Sequence, residues 1–322
     1  MCNMQREFNL FALLGKKKNL LFESLDLEGR TIAILGNGFD LDVGLPTSYN
    51  QFVDSSSFEK YMSLQGKDVS VECDDGTKRN YSLMRYVYEA HTHDRWVDLE
   101  LLLANYARNT RILIQSKDKL INTPNVSNAE IRIMYGFLVK ALAEYLGSIS
   151  YDSVKADSNA SCLLRYISNR TDVEIWNFNY TNLNRLCVPL AIKKIRCRIV
   201  HVHGSLEGEI ILGFHNDANV DKSFNYMKKI EHPNHEFTGY ISKLQEAKNV
   251  VVFGHSLGET DKDYFTAWLN ELADGKIIGQ NLIIYTKDDN SVRQICSRIN
   301  EMTGNRLNTI KGYNTITFKK SM

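Results

Sequence analysis

Three features that would assign this 322-residue chain to a special class are absent from its sequence. None of its six cysteines forms a Cys-x-x-Cys pair, and their scattered positions indicate reduced thiols in a cytoplasmic protein. Its 39 lysines and arginines nearly balance 38 aspartates and glutamates, so the basic excess of a nucleic-acid footprint is missing. No apolar run approaches the length of a membrane-spanning helix. We therefore expect a cytoplasmic protein that contacts neither membrane nor nucleic acid directly.

The first 30 residues give no clear secondary-structure signal. The apolar stretch Phe8–Leu14 is too short for a membrane helix, and the basic run Lys16–Lys18 follows it. A secretory signal has the opposite order, with its positive charges first. We predict that residues 1–30 are a lead-in, either irregular or a docking helix.

Alternating strand and helix patterns follow residue 173. Apolar strand patterns lie near 173–178, 198–202, 250–254 and 281–286, and helical patterns near 235–247, 259–273 and 288–302. Such alternation predicts a parallel sheet with crossover helices. The apolar run near 31–35 predicts another strand of the same sheet.

The segment between the strands near 31–35 and 173–178 is too long for one crossover. It contains a polar hairpin pattern over Asp68–Tyr81, with a turn at Asp74–Gly76, and helical patterns over Asp98–Gln115 and Ala129–Leu146. We predict an α/β domain formed by 31–62 and 160–322, with a mostly helical subdomain inserted at 63–159.

The segment after the first strand carries the strongest candidate site. Gly36 and Gly38 follow the apolar run directly, and Asp40, Gly44 and Pro46 come next. Glycines at this position let the backbone turn and approach a ligand closely. A helix that starts here would present its amides to a phosphate. The alternative is a purely structural strand-to-helix turn.

Four strand-end motifs, taken in order, resemble sirtuin-type NAD-binding proteins. Gly-Asn-Gly-Phe-Asp at Gly36–Asp40, followed by Gly44-Leu-Pro46, is similar to the sirtuin Gly-Ala-Gly-x-Ser and Gly-Ile-Pro. The second motif runs from Asn179 to Thr181, the third is His-Gly-Ser at His203–Ser205, and the fourth is Gly-His-Ser-Leu at Gly254–Leu257. The residues of the first motif are more similar to those of the AbiH family of bacterial abortive-infection proteins. That broader resemblance also includes Trp96–Glu100 and Gly258–Asp261.

The resemblance implies a sirtuin-like, Rossmann-type α/β fold and an anti-phage protein that hydrolyses NAD, its substrate, at the nicotinamide–ribose bond. It implies His203 as the catalytic base and Asn179 as the residue that positions the attacking group. We expect His203 to be partly accessible. It implies a phage-derived trigger, and a homo-oligomer is a further partner that we consider. The absence of a cysteine quartet predicts that no metal is bound. The implied NAD contacts are Gly36, Asn37, Gly38, Phe39, Asp40, Pro46, Thr181, Gly204, Ser205, Gly254 and Ser256.

The sequence departs from sirtuins at two points. It lacks the four-cysteine zinc ribbon of sirtuin deacylases, which argues against protein deacylation. Thr181 stands where the sirtuin motif has an aspartate, which weakens charge stabilisation at that position. Asn179 has a structural alternative as a helix cap, and His203 has one as a core histidine.

Two other functions stay open. The same pocket is suited to a non-catalytic sensor that binds NAD or a related nucleotide and acts through a partner. Alternating His201 and His203 also suit a metal-dependent hydrolase, with His215, His255 and Asp261 as further ligands. Glu100 either serves a helix dipole, with Asp98, or faces the cleft. Asp261 either caps a helix, as Thr260 could, or contacts a ribose.

Overall fold

The structure is a computed structural model that describes residues 27–65, 70–72, 78–80, 82–94, 98–115, 128–215, 220–235 and 237–321. Most of the predicted lead-in and the predicted turn at Asp74–Gly76 lie outside these residues. The chain forms two compact units. Unit 1 comprises the described residues of Met1–Pro46, Ser150–Ser205 and Glu236–Met322, and unit 2 those of Thr47–Ile149 and Leu206–His235. Residues 206–235 thus join the insertion in unit 2, whereas the limits 63–159 stay a prediction.

Among the described residues there are eight strands and eleven α-helices. The strands are β1 Thr31–Leu35, β2 Ser70–Glu72, β3 Lys78–Asn80, β4 Val173–Asn177, β5 Arg198–His201, β6 Asn249–Phe253, β7 Asn281–Thr286 and β8 Thr315–Lys320. The helices are α1 Asn37–Val43, α2 Tyr49–Val53, α3 Ser56–Leu64, α4 Leu83–Asp94, α5 Leu99–Gln115, α6 Asn128–Ser148, α7 Asn159–Ile167, α8 Tyr240–Glu246, α9 Lys262–Ala273, α10 Asp289–Thr303 and α11 Leu307–Tyr313.

The sheet of unit 1 confirms the predicted α/β class. Its six strands are all parallel and lie in the order β5-β4-β1-β6-β7-β8. Counted along the sheet-forming strands alone, this is the 3-2-1-4-5-6 order of Rossmann-like folds. The order reverses between β1 and β6, which is where such folds place their ligand crevice.

The central strand β1 forms because its sequence, Thr-Ile-Ala-Ile-Leu, can be buried on both faces. All five residues are buried, and Ala33 pairs with Ile175 on one side and Val251 on the other. The core of unit 1 continues through Trp176 and Trp268. The polar residues that follow each strand are therefore held at fixed positions along one edge.

Unit 2 contains α2–α6, the antiparallel pair β2–β3 and the 3₁₀ turns Lys222–Met227 and Lys229–Glu231. Asp98 caps α5, since its Oδ1 accepts the backbone N–H of Leu101 at 3.0 Å. Glu100, in the first turn of α5, accepts a 2.6 Å hydrogen bond from Lys229 Nζ, and both side chains are buried. That bond gives Glu100 a partner inside its own unit. Nowhere in the described chain is a helix long and apolar enough to cross a membrane.

Candidate functional site

Polar side chains follow the carboxyl ends of β1, β4, β5 and β6 in unit 1. They form two groups. The carboxylate–amide cluster consists of Asp40, Asn177, Asn179 and Thr181. The histidine cluster consists of His203, His255 and Asp261.

The loop after β4 is held in shape by Asn177, the last residue of that strand. Its Oδ1 accepts the backbone N–H of Asn179 at 3.1 Å, and its Nδ2 donates to the carbonyl oxygen of Thr181 at 3.0 Å. Asn179 then reaches to the neighbouring strand end, where its Nδ2 donates to the carbonyl oxygen of Gly36 at 3.0 Å. Asn179 is therefore not a helix cap. The cap in this loop is Asn182, whose Oδ1 accepts the N–H of Asn184.

Asp40 is the buried carboxylate of the first cluster, with 1% of its surface exposed. Its Oδ2 accepts a 2.8 Å hydrogen bond from Thr181 Oγ1, whereas Oδ1 has no hydrogen-bond partner in the described structure. Burial raises the pKa of Asp40 to about 7, and interactions with Thr181 and Asn179 oppose that rise. A carboxylate thus lies beside position 181, where the sirtuin motif has its aspartate. A buried ionisable group with such a pKa at a strand end is typical of a functional site.

The histidine cluster places one carboxylate between two imidazoles. His203 Nε2 lies 3.1 Å from Asp261 Oδ1, and His255 Nε2 lies 3.2 Å from Asp261 Oδ2. The backbone N–H of Leu257 donates to His255 Nδ1 at 3.0 Å, so neutral His255 carries its hydrogen on Nε2 and directs it at Asp261. Asp261 is positioned as the residue before α9, but its side chain makes no cap hydrogen bond. Its two carboxylate oxygens lie beside the two imidazoles instead.

His203 is only 3% exposed, so the expectation that it would be partly accessible is wrong. It is buried because Phe178 packs against it with ring centroids 5.2 Å apart, and Tyr264 lies at 6.1 Å. Phe178 also contacts His255 at 4.3 Å. Phe178 directly precedes Asn179 of the carboxylate–amide cluster, and its ring packs against both histidines of the histidine cluster. It therefore links the two clusters.

The glycines after β1 have a packing role. A Cβ on Gly38 would lie 2.6 Å from the Cα of Gly254, and a Cβ on Gly36 would lie 2.6 Å from the Cα of His255. The N–H of Gly36 donates to the carbonyl oxygen of Phe253, and that of Gly38 to Gly254. The Phe39 N–H donates to Gly36. These three amides are therefore engaged within the protein, and the glycines allow the loops after β1 and β6 to touch.

The other predicted NAD contacts lie in varied environments. Phe39 is fully buried against Phe253, with centroids 5.7 Å apart, which makes it a core residue. Ser256 is exposed, and its carbonyl oxygen accepts a hydrogen bond from Arg298. Gly204 has a φ of +75°, so the turn after His203 requires a glycine. The remaining three are half-buried: Asn37, Pro46 and Ser205.

Of the five residues in the metal interpretation, His203, His255 and Asp261 lie together in the histidine cluster. β5 ends at His201, so His203 lies in the following turn and does not share a strand face with it. His201 Nδ1 lies 3.5 Å from Asn177 Nδ2, and His215 belongs to unit 2. Within the described ranges, no group of three or more histidines, cysteines, aspartates or glutamates is arranged to hold a metal ion.

Comparison with known proteins supports the resemblance read from the sequence. The family model described as bacteriophage abortive infection AbiH matches residues 32–278, which is most of the chain. The matched range includes β1, β4, β5 and β6, together with every member of both clusters. A search among curated proteins found no match.

Proposed function

Because this chain belongs to the AbiH family of bacteriophage abortive infection proteins, we propose that unit 1 binds NAD and hydrolyses its nicotinamide–ribose bond. Family membership implies a role in abortive infection. In the proposal, a phage-derived trigger activates the protein, as a monomer or a homo-oligomer, and loss of NAD stops the infected cell. The sirtuin-like character of the fold belongs to this proposal, because it rests on the strand-end motifs.

The observation that carries the proposal is that Asn179, His203 and Asp40 lie at the same edge of the sheet. Each follows a different parallel strand, and all lie in unit 1. Asn179 bonds to the loop after β1, and Phe178 connects it to His203. Amide, imidazole and carboxylate side chains beside the topological switch point are suited to a nucleotide with a reactive ribose.

The chemistry requires few groups. The bond between the ribose carbon and the nicotinamide nitrogen breaks, and its electron pair neutralises the pyridinium ring, so the leaving group needs no acid. The ribose passes through an oxocarbenium-like state, as in glycoside hydrolysis. A water oxygen then bonds to the ribose carbon and releases one proton. Asn179 positions this water, and His203 accepts the proton at Nδ1 because its Nε2 faces Asp261. The products are nicotinamide, ADP-ribose and a proton.

The test follows NAD both in purified protein and in infected cells. We expect the parent to release nicotinamide in at least one of the two settings, and His203→Ala and Asn179→Ala to lower the rate by about two to four orders of magnitude. His91→Ala is the matched control, since that histidine pairs with Asp54 in unit 2. Circular dichroism verifies folding. A His203→Ala protein as active as the parent, or a parent that leaves NAD intact in both settings, would contradict the proposal.

A second candidate is a sensor that binds NAD or a related nucleotide without cleaving it. The 3% exposure of His203 favours this candidate, because a buried histidine has limited access to water. The sensor predicts that cells with His203→Ala stay protected from phage while their NAD level is unchanged. Hydrolysis predicts that the same variant loses protection.

A further inference from the structure

Asp40 is the only residue of the carboxylate–amide cluster that can carry charge. One carboxylate oxygen is bonded to Thr181, and the other has no hydrogen-bond partner in the described chain. With 1% of its surface exposed, this side chain is also out of contact with bulk water. A buried oxygen without a hydrogen-bond partner is unfavourable, and more so when it is charged, unless a further group supplies that partner.

The side chains that act on Asp40 supply no positive charge to balance its carboxylate. The two side chains that act on it are the hydroxyl of Thr181 and the amide of Asn179, and both are uncharged. Asn179 donates a 3.0 Å hydrogen bond to the carbonyl oxygen of Gly36, and its amide also opposes the rise in the pKa of Asp40. A nearby carboxylate shows the structural alternative: Asp42 Oδ2 accepts the backbone N–H of Ala160, at the start of α7, at 2.8 Å. Asp42 is therefore explained by a helix end, and Asp40 is not.

We propose that Asp40 is a catalytic residue, whose Oδ1 faces the ribose of bound NAD and whose negative charge stabilises the positive charge that develops on that ribose. Thr181 is its positioning residue, because the 2.8 Å hydrogen bond fixes Oδ2 and leaves Oδ1 directed elsewhere. No proton or bond is transferred to Asp40. The assignment rests on the proposed function. It gives Asp40 the role of stabilising the positive charge that the ribose carries in the transition state but not in the substrate.

The test compares two probes that share the ADP group. The first is ADP linked to a hydroxylated pyrrolidine, whose protonated ring imitates the charged ribose. The second is ADP-ribose, whose sugar is neutral. Calorimetry at pH 7.5 gives both dissociation constants, and their ratio measures the preference for the charged ring. General damage to the fold weakens both probes together, so it does not change this ratio.

We expect the parent to bind the cationic probe more tightly than ADP-ribose. Asp40→Asn should weaken the cationic probe by about tenfold or more, and ADP-ribose by no more than about twofold. Asp42→Asn is the matched control and should leave both constants unchanged. Thr181→Val should lower the preference for the cationic probe, and Thr181→Ser should restore it.

The outcomes separate the two proposals. If both probes bind and Asp40→Asn keeps the parental ratio, Asp40 supplies no charge to the ribose and the assignment is overturned, while the proposed function stands. If neither probe binds to the parent, both are overturned. An exchange variant, Asp40→Thr with Thr181→Asp, gives an independent result, because the two side chains are within hydrogen-bond distance. Recovery of the parental ratio in the exchange variant would support a role for the carboxylate itself.

Discussion

Replacing Asp40 with asparagine should stabilise the protein, and increasingly so as the pH rises. Burial raises the pKa of Asp40 from 3.8 to about 7 in the folded chain. Each unit corresponds to about 1.4 kcal/mol, so the ionised side chain destabilises the fold by about 4 kcal/mol above pH 7. Well below pH 3.8 the carboxyl group is neutral in both the folded and the unfolded chain, and the penalty disappears. Between these limits the unfolded chain releases the proton first, so stability falls as pH rises.

Asparagine does not titrate, so the advantage of Asp40→Asn over the parent should grow by about 3 kcal/mol between pH 5 and pH 8. Urea unfolding followed by tryptophan fluorescence measures this difference, since Trp176 and Trp268 are buried in unit 1. Any constant effect of the substitution cancels when the two pH values are compared. Asp42→Asn serves as the control. An advantage that is equal at pH 5 and pH 8 would refute the buried, ionisable Asp40 on which the argument depends.

Three further predictions concern packing and buried polar groups. Gly254→Ala should lower the melting temperature by several degrees, because its Cβ would lie 2.4 Å from the backbone of the loop after β1. Gly304→Ala, at a similar positive φ but in open space, should lower the melting temperature less. Equal effects of the two substitutions would contradict the close contact. Asn177→Ala should weaken NAD binding, because two hydrogen bonds that shape the loop after β4 are lost. If calorimetry gives this variant the NAD affinity of the parent, Asn177 does not have this role. Lys229→Met should destabilise unit 2 by about 3–5 kcal/mol, because it removes the ammonium group that pairs with the buried Glu100 carboxylate. Adding Glu100→Gln should recover much of the loss in urea unfolding, and no recovery would show that packing dominates.

The sheet could be predicted from the sequence wherever a strand is buried on both faces. β1 and β6 are continuous apolar runs, and the structure confirms them within a residue or two. The sequence patterns do not predict the edge strand β8, because its residues, Thr-Ile-Thr-Phe-Lys-Lys, mix polar with apolar side chains and are only partly buried. They do not predict α11, the helix just before it, either. Edge elements bury little apolar surface, so their pattern is weak.

The candidate site could be predicted only one strand end at a time. Motifs located Asn179 and His203, and the glycine pattern located the loop after β1. The sequence patterns group His203 with Asp261 only as ligands of one metal site, because their direct contact depends on the order of the strands in space. The sequence patterns predict His255 only as a metal ligand, and the resemblance assigns Ser256 beside it to NAD. A positive φ of 50° at Leu257, which the sequence does not reveal, accompanies the backbone turn that brings its N–H to His255.

The position of β1 in the middle of the sheet affects when the protein becomes complete during its synthesis. Asn249 in β6 pairs with Thr31 in β1 across a sequence separation of 218 residues. At bacterial translation rates the ribosome needs roughly 10 to 40 s to make that stretch. Throughout this time β1 lacks at least one of its two neighbours, and Asp261 is made only after β6. Contacts of such long range also slow folding. A chain that ends before residue 261 therefore lacks the carboxylate beside His203, so this part of the site is completed only after most of the protein has been made.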